Sequence, residues 1–292
     1  MKKTIQLSAM AAILLAASTS ISCNSSDNKN GAASGKSGSG DTYDLKFNLK
    51  PGAAYIYDMD VMQNVEAAGN SSTNNLYSKY TFNVKEAAEG NSKIEVVYDL
   101  MRMEMKSMGN TIKMSSEDQT PEAQGFRDMV NKPFSMTVSP EGKVVSIDGW
   151  ESIEKSGAMK SEDLKQSMET SLNIFPDKAV KVGDTWKKDA AMSMQMFKMN
   201  ISSTYTLTEV KGNIATITMD SEIKMGQDNN TQTNGMTMEM NGTQKGKMDV
   251  ELNTGMTLTG NITQDIKGEM QVQGQKMPMN IKSEIKITGK QK

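Results

Sequence analysis

From Asp41 onward the chain is written largely in a period of two. Leu45, Phe47 and Leu49 alternate with polar residues, Pro51-Gly52 follows, and Tyr55, Tyr57, Met59 and Val61 then alternate again. Alternation of this kind puts apolar side chains on one face of a strand, and two such runs around Pro-Gly predict a β-hairpin. Leu76, Tyr80, Phe82 and Val84 continue the pattern, and Ile94, Val96, Tyr98 and Leu100 resume it after Glu89-Gly90-Asn91. Near the C-terminal end Met256, Leu258, Ile262, Ile266, Met270 and Val272 share one parity, with Gly260, Gln264 and Gly268 between them. A strand of that length runs to about 55 Å at about 3.3 Å per residue, so it must bend, and Gly260 and Gly268 are the expected bend points. Met277, Met279, Ile281, Ile285 and Ile287 follow on one face.

Helical signals are confined to the middle of the chain. Thr120-Pro121-Glu122 reads as an N-cap, an N1 proline and a first-turn acid. The strands Phe134 to Val138 and Lys143 to Ile147 flank the turn Ser139-Pro140-Glu141-Gly142. Ser161 then opens a second helix, with Leu164, Met168, Leu172 and Phe175 along one side. The predicted fold is mainly β with minor α: a curved antiparallel sheet or half-barrel of long strands, partly covered by one or two helices. One position breaks the rhythm. Ile94 to Leu100 use even positions for apolar residues, whereas Met101, Met103 and Met105 in MRMEMK use odd ones. Either a bulge inserts a residue there, or the strand passes into a different apolar environment.

The N-terminus follows another grammar. Lys2 and Lys3, an apolar run from Leu7 to Ala17 and small residues up to Cys23 form a secretory signal over residues 1–22, too short to span a bilayer. Cys23, the only cysteine, stands at the cut site and resembles the lipobox of bacterial lipoproteins, which implies lipidation of its thiol. Asn24 in the following position implies, by the same resemblance, an outer-membrane destination facing the periplasm or the surface. Residues 23–40, Ser/Gly/Asn-rich and without apolar pattern, read as the lipidated cysteine and a flexible linker, and residues 41–292 as a single β-rich domain.

Composition narrows the chemistry. The formal net charge is −2 with no basic run, which offers nothing to nucleic acid, and there is no histidine. Ser-His-Asp and Cys-His catalysis and His-based metal sites are therefore excluded, and no pair of acids is marked by its spacing. No catalytic residue, cofactor or metal is expected. What remains is 27 methionines. The M-x-M spacings at Met101, Met103 and Met105, and at Met192, Met194 and Met196, together with Met256 and Met270, mark a candidate face for an apolar ligand, because flexible thioether side chains build adaptable surfaces. Thioethers also suit Cu(I), the sharper and less favoured reading.

The segments YDLKFNLKPGAAYIYDM (Tyr43 to Met59), SPEGKVVSIDG (Ser139 to Gly149) and PDKAVKVGDTW (Pro176 to Trp186) together resemble a family of uncharacterised Bacteroidota lipoproteins carrying a domain of unknown function. The resemblance implies no catalytic residues. In VGDTW, Gly183 is expected to make a turn and Trp186 to start the next strand as an apolar plug. The function expected is that of an envelope lipoprotein, held to the membrane through Cys23, that binds a lipid-like molecule or an envelope partner without catalysis. The alternative is a structural or surface-display lipoprotein with a closed core. Oligomeric state is not encoded in any of these patterns.

Overall fold

The computed structural model describes residues 41–154, 161–194, 197–227, 236–272 and 274–292. Among them, β1 (Ala54–Ala67), β2 (Asn70–Ala88), β3 (Asn91–Ser107), β4 (Asn110–Ser115), β5 (Phe134–Val138) and β6 (Val144–Asp148) make the first half of a sheet. The second half is β7 (Thr185–Met194), β8 (Phe197–Lys211), β9 (Ile214–Gln227), β10 (Met236–Glu251), β11 (Thr257–Val272) and β12 (Gln275–Gln291). The two halves form one 12-stranded antiparallel sheet that does not close into a barrel, in the order β6-β5-β3-β2-β1-β12-β11-β10-β9-β8-β7, with β4 beside β3. The predicted signal, Cys23 and the linker lie outside the described residues.

The second half is a meander of neighbours in sequence, the first is one except that β3 pairs with both β4 and β5, and the two halves are joined in the middle by β1 and β12. That ladder runs unbroken from Tyr55–Gln291 to Ala67–Met279. Apart from bulges, period two holds along the long strands, so one face carries the apolar residues. On β12, Ile281, Ile285 and Ile287 are buried on the same side as Ser283, while the intervening Lys282 and Lys286 face away. The described residues contain no second sheet. The inner face is buried because the sheet curls around it, and one cluster joins Val61, Val84 and Ile94 of the first half to Leu207, Ile217 and Ile285 of the second. Gly268 serves that curvature: a Cβ there would overlap the Glu239 carbonyl oxygen of β10, so only glycine lets the strands coil so tightly.

The parity switch in MRMEMK is a bulge. Lys79 of β2 faces Leu100, but Tyr80 faces Tyr98, which leaves Asp99 as the extra residue. Asp99 accepts a hydrogen bond from Thr81 Oγ1 at 2.7 Å. Beyond the bulge, Met101, Met103 and Met105 come back onto the inner face, opposite Ser78, Leu76 and Asn74.

The open edges β6 and β7 are bridged. Helix α1 (Gln124–Met129), preceded by a 3-10 turn at Pro121–Ala123, and the short α2 (Glu151–Glu154) lie along the chain before α3 (Ser161–Leu172), which packs against both β6 and β7. Phe175 lies beyond the end of α3 and is fully buried. The expected first strand is corrected: Leu45, Phe47 and Leu49 are buried in alternation, but their segment does not pair with β1. Phe47 N donates to Pro140 O at 2.7 Å and Asn48 N to Thr254 O at 3.0 Å, while Tyr43 bridges Val180. The segment is an extended strap across the same end of the roll as α3, and its apolar side chains face a core without joining the ladder.

Candidate functional site

The inner face divides into three zones across the strands. At the α3 end it is aromatic. Tyr57 stacks on Tyr80 with centroids 5.3 Å apart, Tyr80 meets Tyr98 at 5.8 Å, and Phe134 stands edge-on to Trp150 at 5.0 Å. Burial pushes the phenols of Tyr57 and Tyr80 well up and that of Tyr98 to about 12, so all three stay neutral. Below Met168 and Leu172 of α3 lies a cavity of about 100 Å³, with Met256 in its wall. Trp186 belongs to this end: its Nε1 donates to Ile174 O at 2.7 Å and its ring stacks on Tyr205, which pins the start of β7.

At the opposite end, where the β1–β2, β7–β8, β9–β10 and β11–β12 hairpins turn, the inner face is built from methionine. Met192, Met199, Met225 and Met240 are successive cross-strand partners on four strands. Met238 faces Met270, which faces Met277. Together with Phe197, Ile201, Ile223, Ile266 and Ile281 these residues form a second apolar cluster, and more than half of its buried members are methionines. An unbranched thioether fills irregular space and re-packs readily, so this end is the softer of the two.

Between the two zones runs a row of buried polar side chains. Reading across cross-strand partners, Lys188 of β7 faces Ser203, which faces Ser221, then Gln244, Gln264, Ser283, Gln63 and Asn74, and the row ends at Met105 of β3. Gln63 is 1% exposed, Gln244 2% and Asn74 3%. Some members pair with each other. Gln264 Nε2 donates to Gln244 Oε1 at 2.5 Å, and the Ser203 and Ser221 hydroxyls lie 2.8 Å apart. Gln63 Nε2 donates to Ser283 Oγ at 3.4 Å. Other polar atoms have no partner: Gln63 Oε1 and both polar atoms of Asn74, and Ser78 Oγ beside the row, are buried without a hydrogen-bond partner among the described residues. Each such group costs about 1–3 kcal/mol of stability.

At the β7 edge the polar row meets solvent. A pocket of about 220 Å³ between α3 and β7–β8 has Lys188, Ser203 and Gln244 on its floor and Gln166, Glu169, Thr170 and Asn173 on its helical wall. Lys188 Nζ is held by Asp177 at 2.7 Å. A wider groove of about 680 Å³ crosses the opposite, outward face at Asp60, Tyr77, Arg102 and Glu284. There Tyr77 donates to Asp58, and burial followed by that hydrogen bond pushes its phenol up to about 12.

The methionines singled out in the sequence fall in three places rather than one. Met192 and Met270 belong to the methionine cluster. Met256 lies at the aromatic end. Met101 and Met105 are buried on β3 beside Ser78 and Asn74, with Met103 half-buried between them. The side chain of Met194 and the whole of Met196 lie outside what is described. The polar row was missed by sequence reading, although one signal was available: Gln63, Ser203, Ser221, Gln264 and Ser283 each occupy an inward position with apolar neighbours two residues away on both sides. No group of three or more His, Cys, Asp or Glu side chains that could hold a metal occurs among the described residues.

The sequence profile of the family of unknown function DUF6263 matches residues 89–162 and 155–257, more than half of the chain. The protein belongs to that family. No curated protein sequence matches it. Among solved structures, lipovitellin, described under lipid–protein interactions, is 10% identical with a TM-score of 0.50. That match covers 83% of this chain but only 25% of lipovitellin, so the DUF6263 protein spans about a quarter of its length. The likeness is one of fold. An outer membrane channel from Pseudomonas putida F1 is 8% identical at a TM-score of 0.26, covering 85% of this chain and 98% of that one. The autotransporter NalP translocator domain from Neisseria meningitidis is 7% identical at 0.24, covering 81% and 88% respectively. These two share too little geometry to carry the description further.

Proposed function

We propose that this DUF6263 protein is a non-catalytic envelope lipoprotein, anchored through Cys23, that takes up an apolar, lipid-like chain at the methionine end of its rolled sheet. The observation that carries the reading is the segregation of the inner face: one end is packed with aromatic and branched residues under α3, and the other is lined by thioethers from adjacent strands. Lipovitellin, described under lipid–protein interactions, shares this fold over a quarter of its length, which supports the reading.

The two inner cavities, about 100 and about 220 Å³, are smaller than the roughly 300 Å³ at which ligand pockets begin. Uptake therefore proceeds by methionine side chains moving aside rather than by filling a ready hole. The same small volumes favour the second reading, a display lipoprotein with a closed core, and one measurement separates the two. The full-length protein, stripped of lipid and titrated with a pyrene-labelled alkane, is expected to take up probe saturably near one per chain. Bound probe should slow peroxide oxidation of Met199 and Met225, followed by peptide mass spectrometry. Absence of saturable uptake overturns the apolar-ligand reading and leaves the closed core.

A further inference from the structure

The polar row is too long and too deeply placed to be a surface feature, and its chemistry is uniform: amides and hydroxyls, with one lysine at the rim. It crosses the inner face between the methionine cluster and the aromatic core and opens at the β7 edge into the pocket between α3 and β7. That pocket touches all three zones. Ser203 and Gln244 belong to the row, Tyr205 to the aromatic core, and Ile201 to the methionine cluster. A molecule seated there has hydrogen-bonding groups beneath its polar part, and the paired Ala190 and Ile201 on its wall are followed along the ladder by the paired Met192 and Met199, toward which an apolar part can displace side chains.

The charge at the pocket selects among polar groups. Its lysine is already held by Asp177, and Glu169 stands on its helical wall, so an added carboxylate meets an acid and, among the described lining residues, no unpaired cation. Uncharged donors and acceptors meet no such repulsion. Asn173 Oδ1, on the pocket wall, is buried with no hydrogen-bond partner among the described residues and can accept from a hydroxyl. The row then continues inward to Gln63 Oε1 and Asn74, whose capacity is likewise unused.

We propose that the pocket between α3 and β7 receives the uncharged, hydroxyl-bearing head group of an acylglycerol-type lipid, whose chain passes Ala190 and Ile201 into the methionine cluster. The proposal rests on uptake of an apolar chain by that cluster and adds the class of amphiphile. It is tested on the full-length protein with three probes of equal chain length: a 1-monoacylglycerol, the corresponding fatty-acid anion and the alkane. The monoacylglycerol is expected to bind at least tenfold more tightly than the fatty acid. Gln244→Leu should reduce the ratio of monoacylglycerol to alkane affinity about tenfold, and Glu169→Lys, on the half-buried helical wall of the pocket, should raise fatty-acid affinity by a similar factor. Should Gln244→Leu fail to fold, the Glu169→Lys response decides by itself. Equal binding of monoacylglycerol and fatty acid, or a fatty-acid affinity indifferent to Glu169→Lys, overturns the head-group assignment while apolar uptake stands. Failure of all three probes to bind overturns both.

Discussion

Asn74 holds both its amide oxygen and its amide nitrogen in the interior without a partner among the described residues, beside Gln63 on one strand and Met105 on the other. A buried amide left this way is a stability cost, and leucine, close to it in size, carries none. Asn74→Leu is therefore expected to stabilise the protein by about 1–3 kcal/mol, read as a higher urea midpoint at unchanged slope. A destabilised variant would show that the amide is satisfied in solution and that its burial is structural. How legible such residues are depends on what a single strand can display. Gln264 stands out in its own sequence because Ile262 and Ile266 flank it. Asn74, between Ser72 and Leu76, does not. Only the register of seven ladders turns scattered glutamines and serines into one row, and register is a property of pairs of strands. The methionines suffered the same ambiguity in reverse. Met101 to Met105 and Met192 share a spacing, yet lie in different parts of the inner face.

At the scale of elements, α3 carries more weight than its single amphipathic turn pattern suggests. It is the piece that spans from β6 to β7, and its buried Leu164 belongs to the aromatic core. Leu164→Ala removes a fully packed side chain at that bridge, and a loss of about 2–5 kcal/mol in equilibrium unfolding is expected. A loss much below that range would mean that the edges hold without the helix. The long strands, the β5–β6 turn and α3 were readable because a period of two or 3.6 persists over many residues. The strap at Leu45, Phe47 and Leu49 was not, because burial in alternation looks the same whether backbone hydrogen bonds go to a ladder or, as here, to Pro140 and Thr254. The bulge lies between these cases. The parity switch at Leu100–Met101 marked its place, and the pairing with Lys79 and Tyr80 decided its nature.

At the scale of the whole molecule, the proposed anchor and the sheet are separable. Cys23→Ser should move the protein from the membrane fraction to the soluble fraction and abolish incorporation of labelled palmitate, two acyl signals being what stable anchoring needs. Retention in the membrane by the serine variant would show attachment by another route. The sheet itself has a temporal consequence. Its two halves consist of ladders between strands close in sequence, which form quickly because little chain must be closed into a loop. The seam between β1 and β12 is different. It joins Tyr55 to Gln291, across nearly the whole described sequence, and completes the middle of the sheet rather than an edge. Until β12 has been synthesised, β1 keeps an open, hydrogen-bond-hungry flank, and the roll cannot close over its own inner face. Closure of the roll thus waits for β12, a delay that suits the proposed export of the chain in unfolded form through a narrow translocation pore.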